Sequence, residues 1–237
     1  MKLFKRIEAA ALLKLSHETL TDRAYAALKK ALTAGDFPPG HALVIRTLAE
    51  AYGISPTPVR EALQRLVAER MLVLQSNRSI VVPILSGSRF VELTRIRCAL
   101  EGMAAERAAT RMAPAQLDEL RKIVATIEGA IEQRDIHAYV HLNRAFHFGI
   151  YECAESPILL SMIEDLWCQV GPFFTHLFDD VAYVPKANDL HFVILDLLAK
   201  KDSEGVKESV CIDINAAALT LAPHLISDSE VDGLVEA

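Results

Sequence analysis

The sequence predicts a mostly α protein, with an N-terminal winged helix-turn-helix followed by an all-α helical bundle. Three observations carry that expectation. Strand-like runs occur only in "MLVLQ" and "SIVVPIL", between residues 71 and 85. Nearly everywhere else apolar residues recur at the three-and-four spacing of one helical face. The charge also changes sign along the chain. Residues 1–80 hold 12 Lys and Arg against 7 Asp and Glu, whereas the remainder holds 13 against 24. A basic front and an acidic back suggest two domains with different partners.

Composition bounds the rest. With 237 residues, 51% of them apolar and 24% charged, the chain can bury an ample core and is not of the disordered class. No apolar run approaches the ~20 residues that cross a bilayer, so no membrane is expected. The start "MKLFKRIEAAALLKLSHETL" lacks a long apolar core and a cleavage site. Residues 1–17 are read as an amphipathic extension, not a signal peptide. Cys98, Cys153, Cys168 and Cys211 are scattered without a Cys-x-x-Cys pair, which fits reduced thiols in a cytoplasm.

The first domain is expected over 18–85. "TDRAYAALKKALT" (Thr21 to Thr33) sets Tyr25, Leu28 and Leu32 on one stripe and stops at "AGDFPPG". A short helix over Arg46 to Tyr52 ends at Gly53, a residue suited to the left-handed C-cap. The third helix opens "SPTPVREALQRLVA". Ser55 can cap it, placing Pro56 at its first position and Pro58 in its first turn, where proline loses no hydrogen bond. Val59, Ala62, Leu63, Leu66 and Val67 form its apolar stripe, and Thr57, Arg60, Glu61 and Gln64 its opposite face. The two strand-like runs, parted by "SNR", form a hairpin with Asn77 and Arg78 at its tip. Helix, helix, turn, helix, hairpin is the winged helix-turn-helix order, in which the third helix meets the DNA major groove. Arginine is the usual bidentate reader of guanine, which favours Arg60.

That reading meets a resemblance. "FPPG", "LAEAYGIS", "TPVREAL" and "RLVAERML" fall in the order and spacing of the DNA-binding domain of the GntR family of bacterial transcription regulators, across about Leu20 to Val82. The resemblance implies DNA contacts from Arg46, Thr57 and Arg60. Ser55, Gln64, Asn77 and Arg78 complete the expected surface. Pro56 stands where many relatives carry an arginine, and the wing lacks their glycine.

From Ser86 onward the pattern is helical, over 88–111, 114–133, 135–153, 156–178, 187–200 and 203–222, with breaks that include Pro114, Pro157 and Pro185. The second domain is expected over 86–230 and a tail over 231–237. Asn143 and His147 interrupt the stripe of Tyr139, Leu142, Phe146 and Ile150. His191 lies among Leu190, Ile194 and Leu198, and Asp213 among Val206, Val210, Ile214, Ala217 and Leu221. Buried polar groups need partners. These four fit either a divalent transition metal or a closed hydrogen-bond network. His137 and His141 share a more polar face with Arg144 and are expected to be solvated.

The helical half resembles the effector-binding (FCD) domain of the FadR-like branch of the same family, through "LTRIRCALEGMAAERAA", "LNRAFHFGIYECAESPIL" and "DLHFVILDLLAKKD". The resemblance implies a metal held by an Asp or Asn and three histidines, with a small carboxylic-acid effector in the same cavity. Asn143, His147 and His191 fill three of those positions, and Asp213 stands where the third histidine is expected. Zinc, nickel or manganese are the implied ions. Arg97 matches an arginine that faces the cavity; its spacing equally gives an (i, i+4) pair with Glu101.

Together these features describe a cytoplasmic, ligand-responsive regulator, a homodimer on palindromic operator DNA, released by its effector. The competing readings are a helical metalloenzyme using His147, His191 and Asp213, and a DNA-binding protein without a ligand.

Overall fold

The computed structural model describes residues 18–180 and 182–227; the extension expected over 1–17 and the tail over 231–237 lie outside the described residues. Helix α1 (Leu20–Thr33) opens on a capping box, with Thr19 and Asp22 each accepting from the other's backbone N–H at 3.1 Å. Helix α2 (Ile45–Tyr52) ends at Gly53, whose φ of 64° requires a residue free of Cβ strain. Helix α3 (Pro56–Ala68) starts where the prolines place it.

Ser55 occupies the N-cap of α3, but its side chain makes no capping hydrogen bond. The reason is local. A capping oxygen accepts from the second or third helical N–H, and Pro58 removes the latter.

The hairpin consists of β1 (Val73–Leu74) and β2 (Ile80–Val81), antiparallel, with Val73 opposite Val81 and Leu74 opposite Ile80. A third extended stretch, absent from the sequence reading, follows the Pro-Pro-Gly turn. Gly40 N–H donates to Val82 O (2.9 Å), Val82 N–H to His41 O (3.0 Å) and Leu43 N–H to Ile80 O (2.8 Å). The base of the wing is thereby tied to the segment leading into α2.

The second half is a bundle of α4 (Gly87–Arg111), α5 (Pro114–Glu132), α6 (Ile136–Glu152), α7 (Pro157–Val170), α8 (Tyr183–Lys200) and α9 (Ser203–Leu221). Two helices differ from expectation. The stretch 156–178 is α-helical only to Val170 and continues as a 3₁₀ segment, Gly171–Asp179. Pro172 has no N–H for the (i−4) carbonyl, so the α ladder cannot pass it. Helix α8 begins at Tyr183, four residues before the expected start. Pro185 falls in its first turn, where it breaks nothing, and Tyr183 and Val184 join the buried set.

Two apolar cores divide the described residues. Leu28, Leu32, Val59, Leu63, Leu66, Met71 and Val82 lie in the first. Val124, Ile127, Phe146, Ile150, Ile163, Ile194 and Val210 lie in the second. Cys168 of α7 crosses over: it is fully buried in the first core.

At that junction the backbones themselves touch. A Cβ on Gly171 would lie 2.6 Å from Leu32 O and 2.8 Å from Thr33 O. Beside it, Lys29 Nζ pairs with Asp165 (2.8 Å) and Glu164 (3.3 Å), and Arg144 Nε donates to Thr33 Oγ1 (2.9 Å). Burial pulls the Lys29 ammonium down, but the two carboxylates outweigh it and hold its pKa above the usual range.

The close approach predicts that Gly171→Ala costs about 1–3 kcal/mol, since overpacking against backbone cannot relax by a rotamer change. Gly129→Ala, in α5, meets nothing nearer than Gln133 Nε2 at 3.9 Å and should be neutral or stabilising. Thermal unfolding of both variants beside the parent checks the contrast.

Candidate functional site

Three of the front domain's arginines meet on one concave face. A groove of about 480 Å³ is lined by Arg46 from α2, Pro56 and Arg60 from α3, and Arg78 from the wing, with Leu43, Val44 and Ile80 as its floor. Arg46, Ser55, Thr57, Arg60, Gln64, Asn77 and Arg78 are all exposed. Arg78 adopts φ 66° at the hairpin tip, and Asn77 Oδ1 accepts from Ser79 N–H at 2.8 Å. Asn77 thereby shapes the turn, and the left-handed position that would favour a glycine is held by Arg78 at the tip.

The back domain holds a continuous polar chain in its interior. On α4, Arg97 Nε donates to Glu101 Oε1 at 2.6 Å, with Glu101 wholly buried. Tyr151 OH on α6 donates to Glu101 Oε2 at 2.7 Å and lies 3.2 Å from His147 Nδ1, one turn earlier. His147 Nε2 is 3.2 Å from Asp213 Oδ2 on α9, and Asp213 Oδ1 is 4.0 Å from His191 Nε2 on α8. His191 Nδ1 is 3.3 Å from Asn188 Oδ1. Asn143 is buried one turn before His147 on the same helix.

Donor logic fixes the tautomers. Glu101, paired with Arg97, takes the Tyr151 proton, so the phenol oxygen accepts from His147 Nδ1–H. Asn188 Oδ1 likewise accepts from His191 Nδ1–H. His191 in its neutral form then directs an Nε2 lone pair at Asp213, whereas His147 Nε2, 3.2 Å from Asp213 Oδ2, meets it at hydrogen-bond distance. Burial, against the pull of Asp213 and aided by His147, lowers the His191 pKa to about 4, so that ring is neutral at pH 7. Burial pushes the Asp213 carboxyl up, but His147, His191 and Arg97 prevail and its pKa lies below the ordinary value.

An anion facing the lone pair of a neutral ring is an unfinished arrangement. Among the described residues, three buried side-chain nitrogen or oxygen atoms have no hydrogen-bond partner: His191 Nε2, Asp213 Oδ1 and Trp167 Nε1. The first two face each other in this centre, and the Trp167 ring packs beside it, 5.7 Å from that of His147. Each such atom costs on the order of 1–3 kcal/mol, so three together are not incidental. His147, His191 and Asp213 offer donor atoms within 4.8 Å of one another. The residues present therefore fit a cation: imidazole nitrogens and a carboxylate oxygen are the donor set of zinc, nickel or manganese.

Sequence reasoning placed His147, His191, Asp213 and Asn143 on inward faces, and all four are buried. Arg97 is buried and paired with Glu101, the partner that its spacing gives. Glu101 as a hub, Tyr151, Asn188 and Trp167 were missed. Their positions one turn from a histidine, or in an apolar stretch, were the available signal.

The comparisons with known proteins agree with both halves. Residues 20–82 match the model of bacterial regulatory proteins of the gntR family, and residues 92–234 match the FCD domain. The chain belongs to the GntR family of transcription regulators, with an FCD domain. It is similar to the HTH-type transcriptional regulator McbR of Escherichia coli K12, 35% identical over 196 residues, covering 82% of this chain and 89% of McbR. It is 26% identical to a probable D-xylose utilization operon transcriptional repressor of Paenarthrobacter nicotinovorans, over 94% of this chain and 97% of that protein. The solved structure of E. coli McbR/YncC superposes with a TM-score of 0.81 at 32% identity, over 87% of this chain and 98% of that one. A putative GntR regulator from Rhodococcus sp. RHA1, 20% identical, shares the fold at a TM-score of 0.70, over 87% of this chain and 99% of that one. The protein is a DNA-binding transcription regulator, and the metalloenzyme alternative falls with that assignment.

His191 predicts a pH dependence in chelator-treated protein. Its folded pKa lies below the unfolded value near 6.5, so the unfolded chain binds the proton first. Stability should therefore be full above about pH 6.5 and fall between 6.5 and 4, by on the order of 3 kcal/mol. Urea unfolding at stepped pH should show this slope in the parent, and a flatter one in His191→Asn.

Proposed function

We propose that the chain is a ligand-responsive repressor that binds palindromic operator DNA as a homodimer in the cytoplasm, and that a small carboxylic acid bound at the buried centre releases it. The observation that carries the DNA half is the meeting of Arg46, Arg60 and Arg78, from three separate elements, on one groove. A recognition helix needs phosphate anchors on both sides, and α2 and the wing supply them. Thr57 and Gln64 extend the surface along α3, and Ser55, free of capping duty, lies at its leading edge. The relevant units are residues 18–85 and 86–230.

The sensor half rests on the orphaned atoms. Asn143, His147, His191 and Asp213 would hold the metal, which when bound would supply a Lewis-acidic point for a carboxylate. Trp167 Nε1–H is the donor available to an effector oxygen. Arg97 and Glu101 act through Tyr151, which orients His147. Among described helices none is long and apolar enough to cross a membrane, in keeping with a cytoplasmic setting. Repression is favoured because the relative matched over most of its length is described as a repressor.

If Arg60 reads a base, Arg60→Ala should weaken operator binding by about 1–3 kcal/mol and relax sequence preference at one position. Gel-shift titration on native and scrambled operators distinguishes this from a phosphate contact, and unchanged affinity on both would refute the groove assignment.

For the sensor, Tyr151→Phe keeps the ring and deletes the hydroxyl that orients His147. Loss of such an orienting bond typically costs about 10–100-fold in metal affinity. Competition titration with a chromogenic chelator measures it. A wild-type chain that takes up neither zinc, nickel nor manganese would leave the centre as a hydrogen-bond network.

A further inference from the structure

His137 and His141 are not simply solvated. They occupy the first two turns of α6, four residues apart, and reach back to Asp36 in the loop after α1. His137 Nε2 and His141 Nε2 are 3.1 Å apart, and each is 3.2 Å from Asp36 Oδ1. We propose that Asp36, His137 and His141 form a second transition-metal site, separate from the buried centre, that joins the DNA-binding domain to the helical bundle.

The geometry is that of one face of a tetrahedron. Zinc bonded at about 2.0–2.2 Å to nitrogen and oxygen sets its ligands about 3.3–3.5 Å apart. The three observed edges, 3.1, 3.2 and 3.2 Å, are one or two tenths of an ångström shorter than that. Protons alone cannot satisfy the triangle. Each Nε2 carries at most one hydrogen, directed along one line, so at most two of the three edges can be hydrogen bonds. The third edge then sets two like atoms against each other. A cation at the apex uses all three lone pairs at once, with water completing the shell.

Both sides of the site are held in place before any ion arrives. Asp36 N–H donates to Ala31 O (3.0 Å) and Gly35 N–H to Leu32 O (3.1 Å), fixing the loop against the end of α1. Asp135 caps α6 by accepting from Ala138 N–H at 2.9 Å, which orders the turn bearing His137. The adjacent Arg144–Thr33 bond holds the same two elements together. The His137 side chain is 74% exposed and His141 and Asp36 are about one-third exposed, so an ion can enter from solvent. Because the carboxylate comes from one domain and the imidazoles from the other, occupancy would lock their relative pose.

The test is a calorimetric zinc titration of the full chain after chelator treatment, beside His141→Ala, His137→Ala and Asp36→Asn. All three positions are on the surface, and unchanged metal-free melting temperatures confirm folding. The wild type should show one binding event that both histidine variants lack, and Asp36→Asn should weaken that event at least tenfold. Events at the buried centre should persist in every variant, so failure here is distinguishable from failure of the sensor reading. Isotherms of the histidine variants that match the wild type would overturn the site. An Asp36→Asn isotherm matching the wild type would overturn the bridge, since the imidazoles alone would then hold the ion.

Discussion

The Asp213 carboxylate sits within the second core at 5% exposure, on α9, and a buried anion is tolerated only where positive charge or donors meet it. Neighbouring groups are arranged around that demand. His147 comes from α6 and His191 from α8. Arg97 lies close enough to help hold the carboxyl ionised. What the protein leaves undone is as informative as what it does. It leaves the His191 lone pair where a proton would have closed the network, and that ring is neutral because it is buried. His147, His191 and Asp213 still offer donor atoms within 4.8 Å of one another, a set that fits a cation.

Helix α6 gives that centre a lever. Its C-terminal half carries His147 and Tyr151, while its N-terminal half carries His137, His141 and Arg144 against the end of α1. One helix thus touches both the buried centre and the DNA-binding domain. A ligand that bound two poses of α6 unequally would bias the orientation of α3, by no more than the difference in affinity. The Lys29 ion pairs to α7 give the same joint a second anchor.

Much of this was legible in the sequence, for reasons that particular residues show. The stripe of α3 and the prolines at its start fixed that helix, because local periodicity and caps depend on nearest neighbours alone. Asp213 and His191 betrayed themselves as polar residues on apolar faces. Long-range pairings were not readable. Glu101 looked like an ordinary helix partner of Arg97, and nothing local announces that Tyr151, 50 residues on, donates to it. Asp36 gave no sign of lying against His137 and His141, since that depends on how two domains dock. Pro185 misled in the opposite sense: a proline marks a helix boundary, but which side of it the helix lies on is settled by the burial of Tyr183 and Val184.

Cys168 belongs by chain position to the bundle and by packing to the domain in front of it, where it is fully buried against the residues of α1. The two halves of the molecule are therefore not interchangeable parts. A chimera that grafts the DNA-binding domain onto another bundle would leave a hole where that thiol sat, unless the new bundle carries its own plug.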